Sequence, residues 1–294
     1  MYCIGIDAHK SNASITVMDD IGNIVEKLKV PNSIEVWNNF SAKYLSDKPK
    51  IAIESSTAGK YLAKLLRDFG FEIHLANPKE LKIIFKSNKK TDMRDAIGLA
   101  KLLRLGELPE SYLPSEDIDS IRTLVRYRKS LGKELIIIKN KIHALLTING
   151  IIIKGTDIFG KRGLRTILEH LEKLSEIERI VLDDLLSRLN DITKRIEEIE
   201  NNLARIGKEI ESVKLLMSFP GIDFYTAIGI YAEIGEITRF PDKDHFASYT
   251  GLVPKVDQSG ERDVHGKITK QGPSLLRFFL VNSAHTLIKL SLTF

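Results

Sequence analysis

Between Leu182 and Val213 the apolar residues return at strictly alternating spacings of three and four: Leu182, Leu185, Leu189, Ile192, Ile196, Ile199, Leu203, Ile206, Ile210 and Val213. That period, held for more than four heptads, places every one of them on a single seam of an α-helix, as in a coiled coil. An earlier run through Ile121, Leu124, Leu131, Leu135, Ile138, Ile142 and Leu145 repeats the pattern less cleanly, with Arg128 on the seam. Two such helices can pair within one chain or between chains. Gly155, Gly160 and Gly163, with a short helix near Leu164 to Leu174, mark their connection. The second seam is too regular for a helix covering an irregular core, which predicts an assembly element and a homo-oligomer, dimer or tetramer.

The residues before this region alternate differently. Met1 to Ile6 closes on Asp7, Ala13 to Met18 alternates with period two, and Ile24 to Val30 follows a turn at Asp19 to Asn23. These read as three antiparallel strands. A helix from Ile34 to Leu45, a strand from Lys50 to Glu54, and a helix capped from Ser55 to Thr57 come next, then a strand from Phe71 to Leu75. After Asn77-Pro78 a basic helix carries Lys79, Lys82, Lys86, Lys89, Lys90 and Arg94. This order predicts a ribonuclease-H-like sheet. It does not suit a dinucleotide fold, whose Gly-rich loop is missing.

Four acids fall where such a sheet does chemistry. Asp7 and Glu54 end two buried-looking strands, and in an open α/β sheet ligands gather at the carboxyl ends of strands. Thr91 reads as an N-cap, so Asp92 and Asp95 lie one helical step apart on one face. Carboxylates there also complement a helix dipole with no further role. Four of them together cannot all ionise cheaply without cations, which points to an oxygen-ligand divalent metal. Without a cysteine or histidine cluster, Mg²⁺ or Mn²⁺ fits better than Zn²⁺. His9, His74 and His143 are read as structural or surface residues.

The net charge of +5 is uneven, for twelve acids stand against seven lysines and arginines between Glu169 and Glu211. The flanking parts are therefore basic, which suits DNA or RNA as partner. Arg122, Arg126, Arg128, Lys129, Lys133, Lys139 and Lys141 face only Glu134 along the first seam helix. That face is either solvated or phosphate-contacting. Arg122, Arg126, Lys133, Lys267 and Lys270 are taken as contacts to nucleic-acid backbone. The single Cys3 cannot form an intrachain disulfide and indicates a structural thiol in a reducing, cytoplasmic setting. Early charges exclude a signal peptide, and no uncharged stretch is long enough for a membrane span.

In the last part, Phe219-Pro220-Gly221-Ile222-Asp223 precedes a small-residue helix, a turn that lets backbone amides approach phosphates in the manner of a helix-hairpin-helix; Pro220 and Gly221 are its candidate contacts. The polar stretch from Lys255 to Thr269 contains Gln258-Ser259-Gly260, and Gly272-Pro273 opens a final helix. The expected division is 1–110 for the α/β domain, 111–215 for the coiled-coil region, and 216–294 for a mostly helical C-terminal domain.

Gly5-Ile6-Asp7-Ala8-His9-Lys10, Ile53-Glu54-Ser55, Lys90 to Ala96, the Pro220-Gly221 helix and Gln258-Ser259-Gly260 occur in one order. In that combination the chain resembles the DEDD insertion-sequence transposases, a family that includes the pilin-gene DNA invertases. The match runs from Tyr2 to about Leu290. The resemblance implies a RuvC-like domain, a coiled coil mediating assembly, and a C-terminal transposase domain with a serine nucleophile. Asp7, Glu54, Asp92 and Asp95 take the places of the family's four acids, and Ser259 that of its serine. It further implies a structured bridge RNA as guide, pairing with donor and target DNA. Members usually continue past the last helix, whereas this chain stops at Phe294, the pattern of a truncated copy, which bears on activity more than on fold. Nothing beside Ser259 would activate its hydroxyl alone, so a composite site with the four acids, of the same or a neighbouring subunit, is expected. Two alternatives stay open: a nonenzymatic nucleic-acid-binding remnant of a mobile element, and a RuvC-like nuclease without serine chemistry. An actin-like kinase is disfavoured because His9 stands where such kinases need glycine.

Overall fold

The computed structural model describes residues 1–85, 91–153, 158–259 and 262–291, with the backbone alone at 161, 256–259, 262–265 and 291. Of the expected features, Lys86, Lys89 and Lys90 of the basic helix, Gly155, and Gly260 beside Ser259 lie outside the described residues. The chain forms two compact units, Met1–Leu113 and Pro114–Phe294.

Strand β1 (Cys3–Ala8) is apolar on both faces and buried throughout, as a central strand must be. It pairs antiparallel with β2 (Asn12–Met18), which pairs antiparallel with β3 (Ile24–Pro31), whose alternating exposure marks an outer strand. Ser33 caps α1 (Ile34–Tyr44), and β4 (Lys50–Glu54) returns parallel to β1. Ser56 caps α2 (Thr57–Asp68), and β5 (Glu72–Ala76) lies parallel to β4. Then follow α3 (Pro78–Ile84), α4 (Asp92–Leu105) and the two-residue β6 (Glu110–Ser111), which the sequence pattern did not announce. The sheet order is β3-β2-β1-β4-β5-β6.

Because side chains alternate along a strand, each face of this sheet has its own cover. Ile4, Ile6, Ile51 and Ile53 pack with Trp37, Phe40, Leu62 and Leu66 of α1 and α2. Cys3, Ala52 and Ala76 pack with Leu99, Leu102 and Leu103 of α4. Gly5 is what admits α4: a Cβ there would overlap the carbonyl oxygen of Ala96 and the amide of Ala100. The helix therefore lies directly on β1, with its N-terminal acids near the carboxyl end of the strand.

The second unit begins with two long helices, α5 (Glu116–Ile148) and, after α6 (Lys161–Glu169), α7 (Glu176–Gly207), which a Ser175–Glu178 capping box opens. Their seams face each other within the chain. Leu182, Leu185 and Leu189 share a core with Ile138, Ile142 and Leu146, and Ile196, Ile199 and Leu203 share one with Ile121, Val125 and Leu131. The pairing is thus antiparallel, and each such buried aliphatic side chain contributes about 2 kcal/mol. Two expectations change. The seam of α7 is occupied by its own chain and not held open for a second copy. It also does not run unbroken to Val213, since α7 ends at Gly207 and Ile210 and Val213 belong to the next segment, α8 (Glu211–Met217).

The three-part division changes for the same reason. After α8 come α9 (Phe224–Ile234), α10 (Lys243–Thr250), the hairpin β7 (Pro254–Ser259) and β8 (Arg262–Ile268), and α11 (Ser274–Ser291). Ala227, Ile228, Ile230, Leu276 and Phe279 share one core with Val125, Leu131 and Ile196. The coiled-coil helices and the C-terminal helices are therefore one unit. The β7–β8 hairpin falls in the stretch expected to be merely polar.

Candidate metal centre and nucleic-acid surface

Strand parity assembles the first site. Ile6 of β1 pairs with Ile53 of β4, so Asp7 and Glu54 follow one another on neighbouring parallel strands and share the α4 face of the sheet. Asp7 also pairs with Ser14 of β2, and Ser14 with Lys29 of β3. Thr91 caps α4 by accepting from the Arg94 amide, so Asp92 and Asp95 occupy its first turn, where the helix dipole favours negative charge.

The ligand atoms of Asp7, His9 and Asp92 all lie within 4.8 Å of one another. His9 Nε2 is 3.3 Å from Asp7 Oδ2 and 3.4 Å from Asp92 Oδ1, while Lys29 Nζ stands 3.6 Å from Asp92 Oδ2. Asp7 is 8% exposed. Burial raises its carboxyl above the usual carboxylate range, His9 pulls it back, and the charges of Asp95, Asp92 and Glu54 push it further up. At Asp92 partial desolvation acts upward, but the positive charge of His9 and Lys29 prevails and lowers it. All four expected acids therefore act on one point, although Glu54 and Asp95 do not join the tight group that Asp7 and Asp92 form with His9.

His9, expected as a structural or surface residue, is half-exposed and stands beside both acids. A weak signal was present, for residue 9 lies two positions beyond Asp7, on the same side of an extended chain. The donor set of carboxylates and one imidazole suits a divalent first-row metal or Mg²⁺. Asp7, Asp92 and His9 could hold it directly, with Glu54 and Asp95 close enough to contribute charge.

The expected backbone-contacting residues divide. Arg122 is 8% exposed, and its guanidinium donates to the carbonyls of Ala232 at 2.8 Å and Glu233 at 3.3 Å. Arg126 makes a two-pronged pair with the buried carboxylate of Glu233, at 2.7 and 2.9 Å. Both arginines tie α5 to α9, which takes Arg122 into the interior, while Arg126 stays half-exposed and lines the same cleft as Lys133. Lys133, Lys267 and Lys270 are exposed. Lys133 lines a cleft of about 540 Å³ with Lys129, Ser130, Ser274 and Phe278. Lys129 Nζ lies 3.1 Å from the centre of the Phe278 ring, and burial followed by the charges of Arg128 and Lys133 lowers its pKa.

The Pro220-Gly221 turn is used inward. Gly221 has φ +84°, and a Cβ there would press on the Ser283 carbonyl and Leu287 amide of α11. The α9 N-terminus is already capped, Asp223 accepting from the Thr226 amide at 2.8 Å. A phosphate there would meet a carboxylate, which weighs against the expected helix-hairpin-helix contact at Gly221, whereas Pro220 is exposed. Ser259 ends β7, its backbone paired with Arg262 of β8. Its side chain lies outside the described residues.

Two family models match the chain. One for DEDD transposases of the IS110 type, described as a transposase, covers residues 4–149, and that of the transposase IS116/IS110/IS902 family covers residues 213–293. The transposase for insertion sequence element IS1111A of Coxiella burnetii is 24% identical over 97% of this chain and 78% of its own. The transposase for insertion sequence element IS1328 of Yersinia enterocolitica is 27% identical over 96% of this chain and 82% of its own. With the acids in place on the sheet and both models on one chain in order, the protein belongs to the IS110-type family of DEDD transposases, enzymes that recombine DNA.

Proposed function

We propose that this transposase cuts and rejoins DNA through a divalent metal, Mg²⁺ or Mn²⁺, held by the acids Asp7, Glu54, Asp92 and Asp95 of a ribonuclease-H-like, RuvC-like unit, and through Ser259 as nucleophile. The observation that supports the metal is the raised carboxyl of Asp7, pressed by burial and three further acids. Such a group is easily ionised only when a cation enters. A bound divalent ion would neutralise the charge that builds on a transferring phosphoryl group.

In this reading the Ser259 hydroxyl loses its proton to a base or to solvent and its oxygen attacks a DNA phosphorus. A serine–phosphate ester forms as one ester bond of the strand breaks, and the released strand end leaves as a hydroxyl. Attack by the hydroxyl of another strand end on that phosphorus breaks the serine–phosphate bond, forms a new phosphodiester and returns the proton to the freed serine, which completes the exchange. Lys133 on α5, and Lys267 and Lys270 beyond β7, would meet the phosphate backbone, since exposed lysines beside few acids release counterions on binding. A structured guide RNA and assembly into a dimer or tetramer in a cytoplasmic setting complete the proposal. Assembly would use the outer faces of α5 and α7, where Ile136, Ile137, Ile177 and Ile180 are exposed. No helix among the described residues is long and apolar enough to cross a membrane.

Ser259→Ala tests the serine. It should leave nucleic-acid binding intact while removing strand exchange and the protein–DNA adduct that survives on denaturing gels. If Ser259→Ala still exchanges strands, metal-activated water does the work and the serine has no catalytic part.

A further inference from the structure

We infer that His9 Nε2 is a direct ligand of the metal, which makes this a mixed nitrogen–oxygen centre and biases it toward Mn²⁺ over Mg²⁺. The inference rests on the metal reading of Asp7 and Asp92 and adds a ligand that the acidic tetrad lacks.

Distances carry it. One nitrogen, Nε2, faces two carboxylate oxygens at 3.3 and 3.4 Å. A charge-assisted N–H···O⁻ bond is shorter, about 2.7–2.9 Å, and one N–H shared between two oxygens makes two weaker, bent contacts. Neighbouring donors around a divalent ion, each about 2.1 Å from it, stand about 3 Å apart. His9 matches the second pattern. The same unit supplies the contrast in His74, which gives one nitrogen to each of two acids, Glu110 at 2.7 Å and Glu72 at 2.9 Å. His74 gives each acid its own nitrogen, whereas His9 turns a single nitrogen to both, the three donor atoms lying within 4.8 Å of one another. Lys29 engages the other oxygen of Asp92 and leaves Oδ1 to the triangle.

The ring also comes from a fixed turn. The His9 amide donates to the Asn12 carbonyl at 2.9 Å, and its carbonyl accepts from Asn32 Nδ2 at 2.7 Å. Asn32 Oδ1 in turn accepts from the indole of Trp37 at 2.7 Å, and Trp37 is buried in the core. The backbone that carries the ring is thereby fixed to a buried indole. Imidazole nitrogen binds Mn²⁺ and the later first-row ions better than Mg²⁺, which prefers oxygen and water.

The test uses the full chain with Mn²⁺ alone as probe, read by pulsed electron paramagnetic resonance and by calorimetric titration with Mn²⁺ and with Mg²⁺. The wild-type protein should bind one equivalent of Mn²⁺ or more and show nitrogen modulation from a histidine. His9→Ala should lose that modulation and bind Mn²⁺ about 10- to 100-fold more weakly, with a smaller loss for Mg²⁺; His74→Ala should change neither. Bound Mn²⁺ without nitrogen modulation, or modulation that survives His9→Ala, overturns the ligand assignment and leaves the acid site standing. Failure of the wild-type protein to bind Mn²⁺, or binding untouched by Asp7→Asn, overturns the metal reading and this inference with it.

Discussion

Asp7 in the first unit and Glu233 in the second are both buried acids, 8% and 1% exposed, yet their surroundings are opposite. Glu233 receives the full fork of Arg126, and Arg122 lies beside it on the Ala232 and Glu233 carbonyls. Its charge is matched by the chain itself. Asp7 has three acids pressing on it, and among the described residues the half-exposed His9 draws it down. Burial and those acids together outweigh the imidazole. A buried carboxylate that folding satisfies is an architectural tie between helices, whereas one that folding leaves in conflict awaits a cation from outside. The two acids separate structure from function more clearly than their burial does.

The comparison breaks most visibly at Glu233. Glu233→Gln keeps the size but takes the buried carboxylate from the Arg126 fork, and breaking such a pair costs about 3 kcal/mol. Denaturant unfolding should show a loss of that size with the fold otherwise retained. A change under about 1 kcal/mol would mean that the backbone carbonyls alone satisfy Arg122 and that the ion pair is dispensable.

Asp7→Asn should go the other way. Removing one charge from a crowded acid cluster relieves repulsion and desolvation together, so the metal-free protein should gain about 1 kcal/mol, the usual size of a functional-site conflict. Strand cleavage should be lost in the same variant. Thermal unfolding in the presence of a chelator measures the first, and a DNA-cleavage assay the second. A destabilised Asp7→Asn would show that the carboxylate is part of the scaffold after all, and the contrast with Glu233 would fail.

How much of this was legible in the residues follows from what each pattern encodes. The period-two runs and the caps at Ser33, Ser56 and Thr91 announce the first unit nearly element by element, because burial and capping act locally. The acids were found by their places at strand ends and in a helix turn. His9 was not, since only the sheet and α4 together bring Asp92 across to it. Arg122 misled because charge counting treats every arginine as surface. Yet it follows Ile118 by four residues and precedes Val125 by three, on a face that is buried throughout. The heptads of α7 declared that a seam would be covered, and nothing in a period says by which helix. The β7–β8 hairpin has little apolar alternation to betray it.

Tyr225 gives the finest test of the claim that the second unit matches its buried polar groups internally. Its hydroxyl donates to the Val125 carbonyl of α5 at 3.0 Å, and the Arg128 guanidinium lies 4.2 Å from its ring centre. Burial pushes its pKa up to about 12, against the downward pull of Arg128. Tyr225→Phe should cost about 1 kcal/mol at neutral pH, the worth of one hydrogen bond. The pH dependence has a definite sign. Below pH ~10 the phenol is protonated in both folded and unfolded chains and its contribution is complete. Between ~10 and about 12 the unfolded chain has released the proton that the folded chain still holds, so the wild-type protein loses stability as pH rises. The slope cannot exceed ~1.4 kcal/mol per pH unit and should be shallower, because solvent partly reaches the ring. The Tyr225→Phe variant lacks this loss, while the other tyrosines and lysines titrate alike in both proteins. The gap in unfolding temperature between the two should therefore close between pH ~10 and about 12. A gap that stays constant would mean that the hydroxyl is as solvated in the folded protein as in the unfolded one, and that Arg128 merely stacks on the ring.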